Sequence, residues 1–360
     1  MNQLSRLVAK GAEVGYVGLP PLKKMILVAT LSLLLFLGCD GQRYGHLSVK
    51  TDFIVSSTTD AAKHLHATVT VARGEAQFIV EWLNYHSWLG YGRFYIYNQD
   101  DDPTVLEQLL ANYTSAGLVV LKPWPLVGDQ RGSYVDFLHN HAHEVATFTF
   151  LDGDEFLNLC KHATVDAFLA EEIGPSSPQA AQKKPSCLEL SWYTFGTSNL
   201  PFHPPRTAVL TQYFHRSRCP FRRHPGKVVL RGGNRYHDKP RTYTDRHTGT
   251  MHHFCREHTN DSRPIPTDVA SIYHYSLRNG DLSFATRAKR GIQGDFAGQK
   301  MYEGMTGGAV LERNEHRDAT MLRILDSVPD LLVARPLTIA RNTESILPCT
   351  DPAEEERDCA

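Results

Sequence analysis

From Ala67 to Leu159 the apolar positions follow two periods in turn. ATVTVA (Ala67 to Ala72) alternates apolar with polar and is rich in β-branched side chains, the pattern of a strand with two distinct faces. In the next run, EAQFIVEWLNYHSWLG, the period lengthens. Phe78, Ile79, Trp82, Leu83, His86 and Leu89 share one helical face, and Gly90 is placed to end the helix. RFYIYN (Arg93 to Asn98) returns to the strand pattern. Asp102 is then placed to cap a helix opening on Pro103, carrying Val105, Leu106, Leu109, Leu110 and Tyr113 and stopping near Gly117. LVVLK (Leu118 to Lys122) predicts a third strand, Gln130 to Glu144 a helix, and ATFTFL a fourth strand, and much later LELSWYTFG (Leu188 to Gly196) resumes a strand-like run. Strands alternating with helices of this length imply an α/β domain, a mostly parallel sheet with flanking helices.

The fourth strand runs into chemistry. TFTFLDGDEFLNL (Thr147 to Leu159) breaks an apolar run with Asp152, Asp154 and Glu155 and then turns apolar again. Three charges between buried anchors are costly unless solvated or paired. In parallel sheets the ligand lies beyond the carboxyl ends of the strands, which is where Asp152 emerges. Asn98, Asp100, Asp101 and Asp102 leave the end of another strand toward the same edge. Carboxylates two residues apart with Gly between them suit Mg²⁺ or Mn²⁺, hard cations that share their shell with phosphate oxygens. An apolar strand ending in D-x-D also opens the haloacid-dehalogenase phosphatases, with the first Asp as nucleophile. The cluster lies far into the domain instead of on its first strand, which counts against that reading.

A net charge of -1 gives no basic field for nucleic acid, and 41% hydrophobic with 21% charged residues is ordinary globular composition. MILVATLSLLLFLG (Met25 to Gly38) is apolar, uncharged and preceded by Arg6, Lys10, Lys23 and Lys24. It is shorter than the ~20 residues of a standard span, so a cleaved signal peptide and a type II anchor both fit, with a lipoprotein signal at Cys39 third. Residues 1–24 would then be cytosolic, 39–63 a polar stem, 64–335 the folded domain and 336–360 an acidic tail. Of seven cysteines, the six beyond Cys39 (Cys160, Cys187, Cys219, Cys255, Cys349, Cys359) suit an oxidising compartment. The triplets at Asn112 and Asn260 permit glycosylation.

EWLNYHSWLGYGRFYIYNQDDD followed by FTFLDGDEFL resembles glycosyltransferase family 92 and related family 2-like proteins. Their ordered pattern is K-N-E, E-W-x-x-Y-H, L-G, Y-x-N-x-S-x-D and D-x-D-E-F. The similarity continues through SWYTFGTSNL, KVVLR, HHF and IYHYSLRNGDLSFATRAKRG. It implies a GT-A-like, Rossmann-like fold in a single catalytic domain, a nucleotide-sugar donor, first a UDP-sugar, and Mn²⁺ or Mg²⁺. Asp152 and Asp154 match the metal motif and Glu155 its following Glu, which orients the donor or holds the loop. Ala72, Arg73 and Glu75 match the nucleotide side of the first strand, and Asn98 and Asp102 the second nucleotide motif. A later His completes many such metal sites, with His253 or His252 as candidate. ARGE stands where K-N-E is usual, and YNQDDD replaces the usual Ser-Thr positions with acids.

The expected reaction is transfer of a sugar, galactose among the candidates, to a glycan with inversion at the anomeric carbon. The alternative is a non-catalytic carbohydrate-binding relative. Expected partners are the glycan, the nucleotide-sugar and a membrane through the apolar run, but no nucleic acid. The expected place is the Golgi or secretory pathway as a type II protein, with secretion as the alternative. Lys227, Arg231, Lys289 and Arg290 are either diphosphate contacts or solvated loop charges. Trp192 fits an acceptor platform or core packing, and Trp82, Tyr85 and His86 a site or a packed helix face. Glu189 and Asp281 are the carboxylates considered for the base. His252, His253, Cys255 and His258 are too densely spaced for an unstrained tetrahedral zinc site.

Overall fold

The computed structural model describes residues 65–173, 185–200, 202–220, 226–233, 261–278, 316–318, 320–321 and 331–334. All of them belong to one compact unit, Ser56–Ala360. The strands are β1 (His66–Ala72), β2 (Arg93–Asn98), β3 (Val119–Pro123), β4 (Thr147–Phe150), β5 (Glu155–Leu159), β6 (Cys187–Leu190), β7 (Trp192–Thr194), β8 (His215–Arg216), β9 (Lys227–Arg231), β10 (Ser262–Pro264), β11 (Ala270–His274) and β12 (His316–Arg317). The helices are α1 (Ile79–Leu89), α2 (Thr104–Leu109), α3 (Ala111–Ser115), α4 (Gln130–Asn140), α5 (Val165–Glu172) and α6 (Val209–Gln212).

Seven strands form the central sheet in the order β10-β6-β9-β4-β1-β2-β3. All neighbours are parallel except β9, which runs antiparallel to both β4 and β6. The expected mostly parallel α/β sheet with flanking helices is therefore the observed one. Side chains divide between its faces with strand parity. Ala67 and Val69 of β1, Tyr95 and Tyr97 of β2, and Phe148 and Phe150 of β4 share one core with Tyr134, Phe137 and Leu138 of α4. Ala72, Phe94 and Ile96 face the other core, which holds α1, α5 and a smaller sheet ordered β5-β11-β7. Each large side chain buried there contributes about 1.5–3 kcal/mol relative to exposure.

The predicted α1 forms and ends at Gly90, left-handed at φ 108, as read from the sequence. All six residues of its apolar face are buried. Three expectations need correction. The helix expected from Pro103 to Gly117 breaks at Leu110 into α2 and α3, and Val105 is exposed while Leu106, Leu110 and Tyr113 make the buried face. The helix expected to reach Glu144 ends at Asn140, followed by a single 3₁₀ turn over Ala142–Glu144. There the end of β9 intrudes: Gly232 donates its N–H to Ala146 and Gly233 to Ala142, drawing those carbonyls away from helical partners. A Cβ at Gly232 would lie 1.9 Å from the Val145 carbonyl, so only glycine allows this approach. Finally, LELSWYTFG is two strands, not one. β6 stays in the central sheet, and at Ser191 the chain crosses to the small sheet, where the Ser191 carbonyl accepts from Ile272 N–H at 2.8 Å.

Cys160, Cys187 and Cys219 are disulfide-bonded. Among the described residues no helix is long and apolar enough to cross a membrane, and the run Met25–Gly38 lies outside them.

Candidate functional site

Register brings one edge of the sheet to a line. Ala72 pairs with Asn98, and Asn98 with Pro123, so β1, β2 and β3 end level. Phe150 pairs with Val69, which sets Asp152 two residues further along at the same edge. Because β9 is antiparallel, its first residue, Lys227, enters at that edge, opposite Leu190, the last residue of β6. Topology alone thus delivers a cation beside the carboxylates.

Lys227 is fully buried, with its ammonium 2.8 Å from Asp152 Oδ2 and 3.0 Å from Glu155 Oε2. It is a strand residue inside the site, not a solvated loop charge. Burial alone would lower its pKa, but the charges of Asp152 and Glu155 outweigh burial and raise it, so the ammonium stays charged. The other oxygen of Asp152 accepts from Gln130 Nε2 at 2.7 Å and Tyr134 Oη at 3.3 Å. Glu155 is also fully buried and its Oε2 accepts the Asp152 N–H at 2.8 Å, closing the turn upon itself. Burial pushes the Glu155 carboxyl well up; Lys227 opposes this, and Asp152 and Asp154 add to it.

Asp154 turns the other way. Its Oδ2 lies 3.6 Å from His274 Nε2, with the two side chains 15% and 17% exposed, so solvent and ions reach both. Two ligand atoms each about 2.1 Å from one ion stand about 3–3.5 Å apart. A carboxylate oxygen and an imidazole nitrogen are a donor set that Mn²⁺ accepts, so the pair fits a divalent cation. His274 is braced by Trp192, whose ring centroid is 5.1 Å away. Gly226 makes room for that ring, since a Cβ there would lie 2.5 Å from Trp192 Cδ1.

The expected site residues are distributed unequally. Glu75 is brought in: it is buried, ion-paired with Arg278, and 3.2 Å from where a Gly153 Cβ would sit. Arg278 also donates to the Gly153 carbonyl at 2.5 Å. Ala72 is buried at the end of β1, its carbonyl accepting from Gln99 N–H. Arg73 lies on the loop beyond, 3.4 Å from Asp101. Asn98 and Asp102 bond within their own loop, Asn98 to Asp100 N–H and the Pro103 carbonyl, Asp102 to Thr104. Glu189 sits within β6 opposite Val228, and Arg231 bonds to the Ile173 carbonyl. His252, His253, Cys255, His258, Asp281, Lys289 and Arg290 lie outside the described residues.

Sequence reasoning missed Gln130, Tyr134, His274 and Arg278. His274 ends the strand run ASIYH, the position from which a side chain reaches the site, and that was the available signal. On α1, Glu81 is buried and accepts the Val209 and Leu210 N–H groups at 2.7 and 3.0 Å, and burial raises its pKa to about 7. Trp82, Tyr85 and His86 are buried against β5, and burial lowers the His86 pKa to about 3, so that imidazole is neutral.

The model of glycosyltransferase family 92 matches residues 68–293. A family 92 protein of Ricinus communis is 25% identical over 234 residues, 62% of this chain and 37% of that protein. One from Oryza sativa subsp. japonica is 26% identical over 159 residues, 44% of this chain and 26% of the relative. The chain thus spans well under half the length of these relatives. Among solved structures, Staphylococcus aureus TarS 1–349 in complex with UDP covers 76% of this chain and 81% of its own, at 12% identity and a TM-score of 0.35. HddC from Yersinia pseudotuberculosis covers 63% and 99%, at 9% identity and a TM-score of 0.36. Likeness at that level adds nothing to the assignment, which rests on the matched region that contains the whole β4–β5 turn, Lys227 and His274: the chain belongs to glycosyltransferase family 92.

Proposed function

We propose that this protein transfers a sugar from a nucleotide-sugar donor to a glycan, with a divalent cation held by Asp154 and His274. The observation that carries the reading is the turn Asp152-Gly153-Asp154 at the carboxyl edge of a parallel sheet, with Asp154 3.6 Å from His274. The charges of the turn support it: Asp152, Asp154 and Glu155 face the one ammonium of Lys227, and while burial is the main cause of the raised Glu155 pKa, Asp152 and Asp154 add to it. When bound, Mn²⁺ or Mg²⁺ would offset the negative charge of the leaving nucleoside diphosphate.

The chain's own groups divide the remaining work. Asp152 has both oxygens engaged by Gln130, Tyr134 and Lys227, so it anchors the turn and leaves direct ligation to Asp154. Glu155 ties the turn backbone, and Lys227 keeps the buried charges tolerable. Trp192, half-buried beside His274, offers a ring against which a sugar face can pack. A UDP-sugar donor, galactose as the sugar and inversion follow from the family resemblance. The disulfide-bonded Cys160, Cys187 and Cys219 support a secretory-pathway compartment, with Met25–Gly38 as signal or type II anchor.

Thermal stabilisation of the full chain by UDP, GDP and CDP, with and without Mn²⁺, tests this reading. Stabilisation that needs both the metal and one nucleotide is expected. No shift under any metal condition would reject it in favour of a carbohydrate-binding relative without transfer activity.

A further inference from the structure

Among the described residues, one edge of β5 is covered by side chains instead of a strand. In an antiparallel strand the N–H and C=O of one residue point to the same side, and successive residues alternate. Ile272 gives its N–H to Ser191, away from β5, so its register partner Leu157 also directs its backbone groups away from β11. The Glu155 N–H is met within the turn by the Asp152 carbonyl, so the Glu155 carbonyl and both backbone groups of Leu157 are left facing α1, where unmet buried groups would be costly. Trp82 Nε1–H donates to the Glu155 carbonyl at 2.9 Å, and Tyr85 Oη–H to the Leu157 carbonyl at 2.6 Å. The Leu157 N–H donates to His86 Nε2 at 3.3 Å. His86 Nδ1 lies 2.8 Å from the Trp82 carbonyl, which only accepts, so Nδ1 carries the proton and Nε2 is the acceptor.

We propose that α1 acts as the missing neighbour of β5, and that Trp82 is a positioning residue that sets Asp154 against His274 through its bond to the Glu155 carbonyl. This rests on the reading of Asp154 and His274 as the cation site. Three consecutive carbonyls of the turn are held by three residues, two from the segment that follows β11 and one from α1. Arg278 takes Gly153, the Tyr275 N–H takes Asp154 at 2.8 Å, and Trp82 takes Glu155. Tyr275 comes directly after His274 in the chain, so its bond ties Asp154 to its partner's strand. Trp82 supplies the opposing hold from the other edge. Among the described residues, Trp82 is the side chain that holds the Glu155 carbonyl on that edge. The E-W-x-x-Y-H stretch is then a backbone clasp whose spacing matches the two-residue repeat of one strand edge.

The test compares two full-chain variants. Trp82→Phe keeps an aromatic ring but removes the N–H. Phe94→Leu thins the same core, its ring being 5.6 Å from Trp82, and removes no hydrogen bond of the clasp. Mn²⁺ affinity in the presence of UDP, the melting temperature and amide exchange at Leu157, whose N–H His86 holds, are measured for both. Trp82→Phe is expected to weaken Mn²⁺ binding about tenfold or more, as loss of a supporting contact around a metal ligand does, and to speed exchange at the Leu157 amide. Phe94→Leu is expected to lower the melting temperature while leaving affinity and exchange near wild type. Wild-type affinity in Trp82→Phe, or parallel changes in the two variants, overturns the proposal. If wild type takes up no Mn²⁺ with any nucleotide, the site reading fails instead. Amide exchange then still decides the clasp, and unchanged exchange in Trp82→Phe sinks it.

Discussion

The chain ends two strands of the central sheet in acids, and the two ends share little else. Beyond β2, Asp100 accepts from Gly74 N–H, exposed Asp101 faces Arg73, and exposed Asp102 caps α2 through Thr104. Beyond β4, Glu155 is fully buried and a fully buried lysine has been recruited from far along the chain to meet it. The difference lies in the residues directly after the acids. Pro103 lets the chain leave the β2 end along the surface, whereas Phe156 and Leu157 drag the β4 end back into the core. A charged turn that must be buried needs partners from elsewhere, and those partners make a site.

Removing the recruited cation is the harshest way to break this comparison. Lys227→Met leaves Glu155 buried and uncompensated, an expected loss of about 4 kcal/mol in denaturant-monitored stability. Nucleotide binding should be lost with it. Charge removal at the β2 end should cost far less, because solvent already screens those acids.

The shell around the β4 end should also titrate. Burial holds His86 neutral with a pKa of about 3, against an ordinary value of 6.5. As pH falls below 6.5 the unfolded chain takes up the proton first, so stability is full above 6.5 and declines toward pH 3. At about 1.4 kcal/mol per pH unit, the decline attributable to His86 between pH 6.5 and 4 is about 3 kcal/mol. His86→Phe is expected to be less stable at pH 7 but to lack that part of the acid slope. An identical slope in both proteins would show that His86 is protonated in the folded state.

Local periodicity made much of the fold legible: β1, β2, α1 and its stop at Gly90 follow from residues within one element. The breaks were less visible. Leu110 fits an apolar helical face and yet ends α2, and LELSWYTFG reads as one strand because its pattern does not say which neighbour each half takes. In the site, Asp152, Asp154 and Glu155 stood out because apolar residues flank them. Lys227 lies 75 residues from Asp152, and only the antiparallel insertion of β9 explains its arrival. His274 had the same difficulty: its strand end was readable, but its pairing with Asp154 depends on β11 lying beside β5.

The most direct test of the account is a titration of Mn²⁺ in the presence of UDP, monitored by electron paramagnetic resonance, on wild type, Asp154→Asn and Asp102→Asn. The account predicts one nucleotide-dependent Mn²⁺ site in wild type and Asp102→Asn and none in Asp154→Asn, with all three proteins folded. Equal Mn²⁺ uptake by wild type and Asp154→Asn, or its loss in Asp102→Asn alone, would contradict it and move the cation site away from the β4 end.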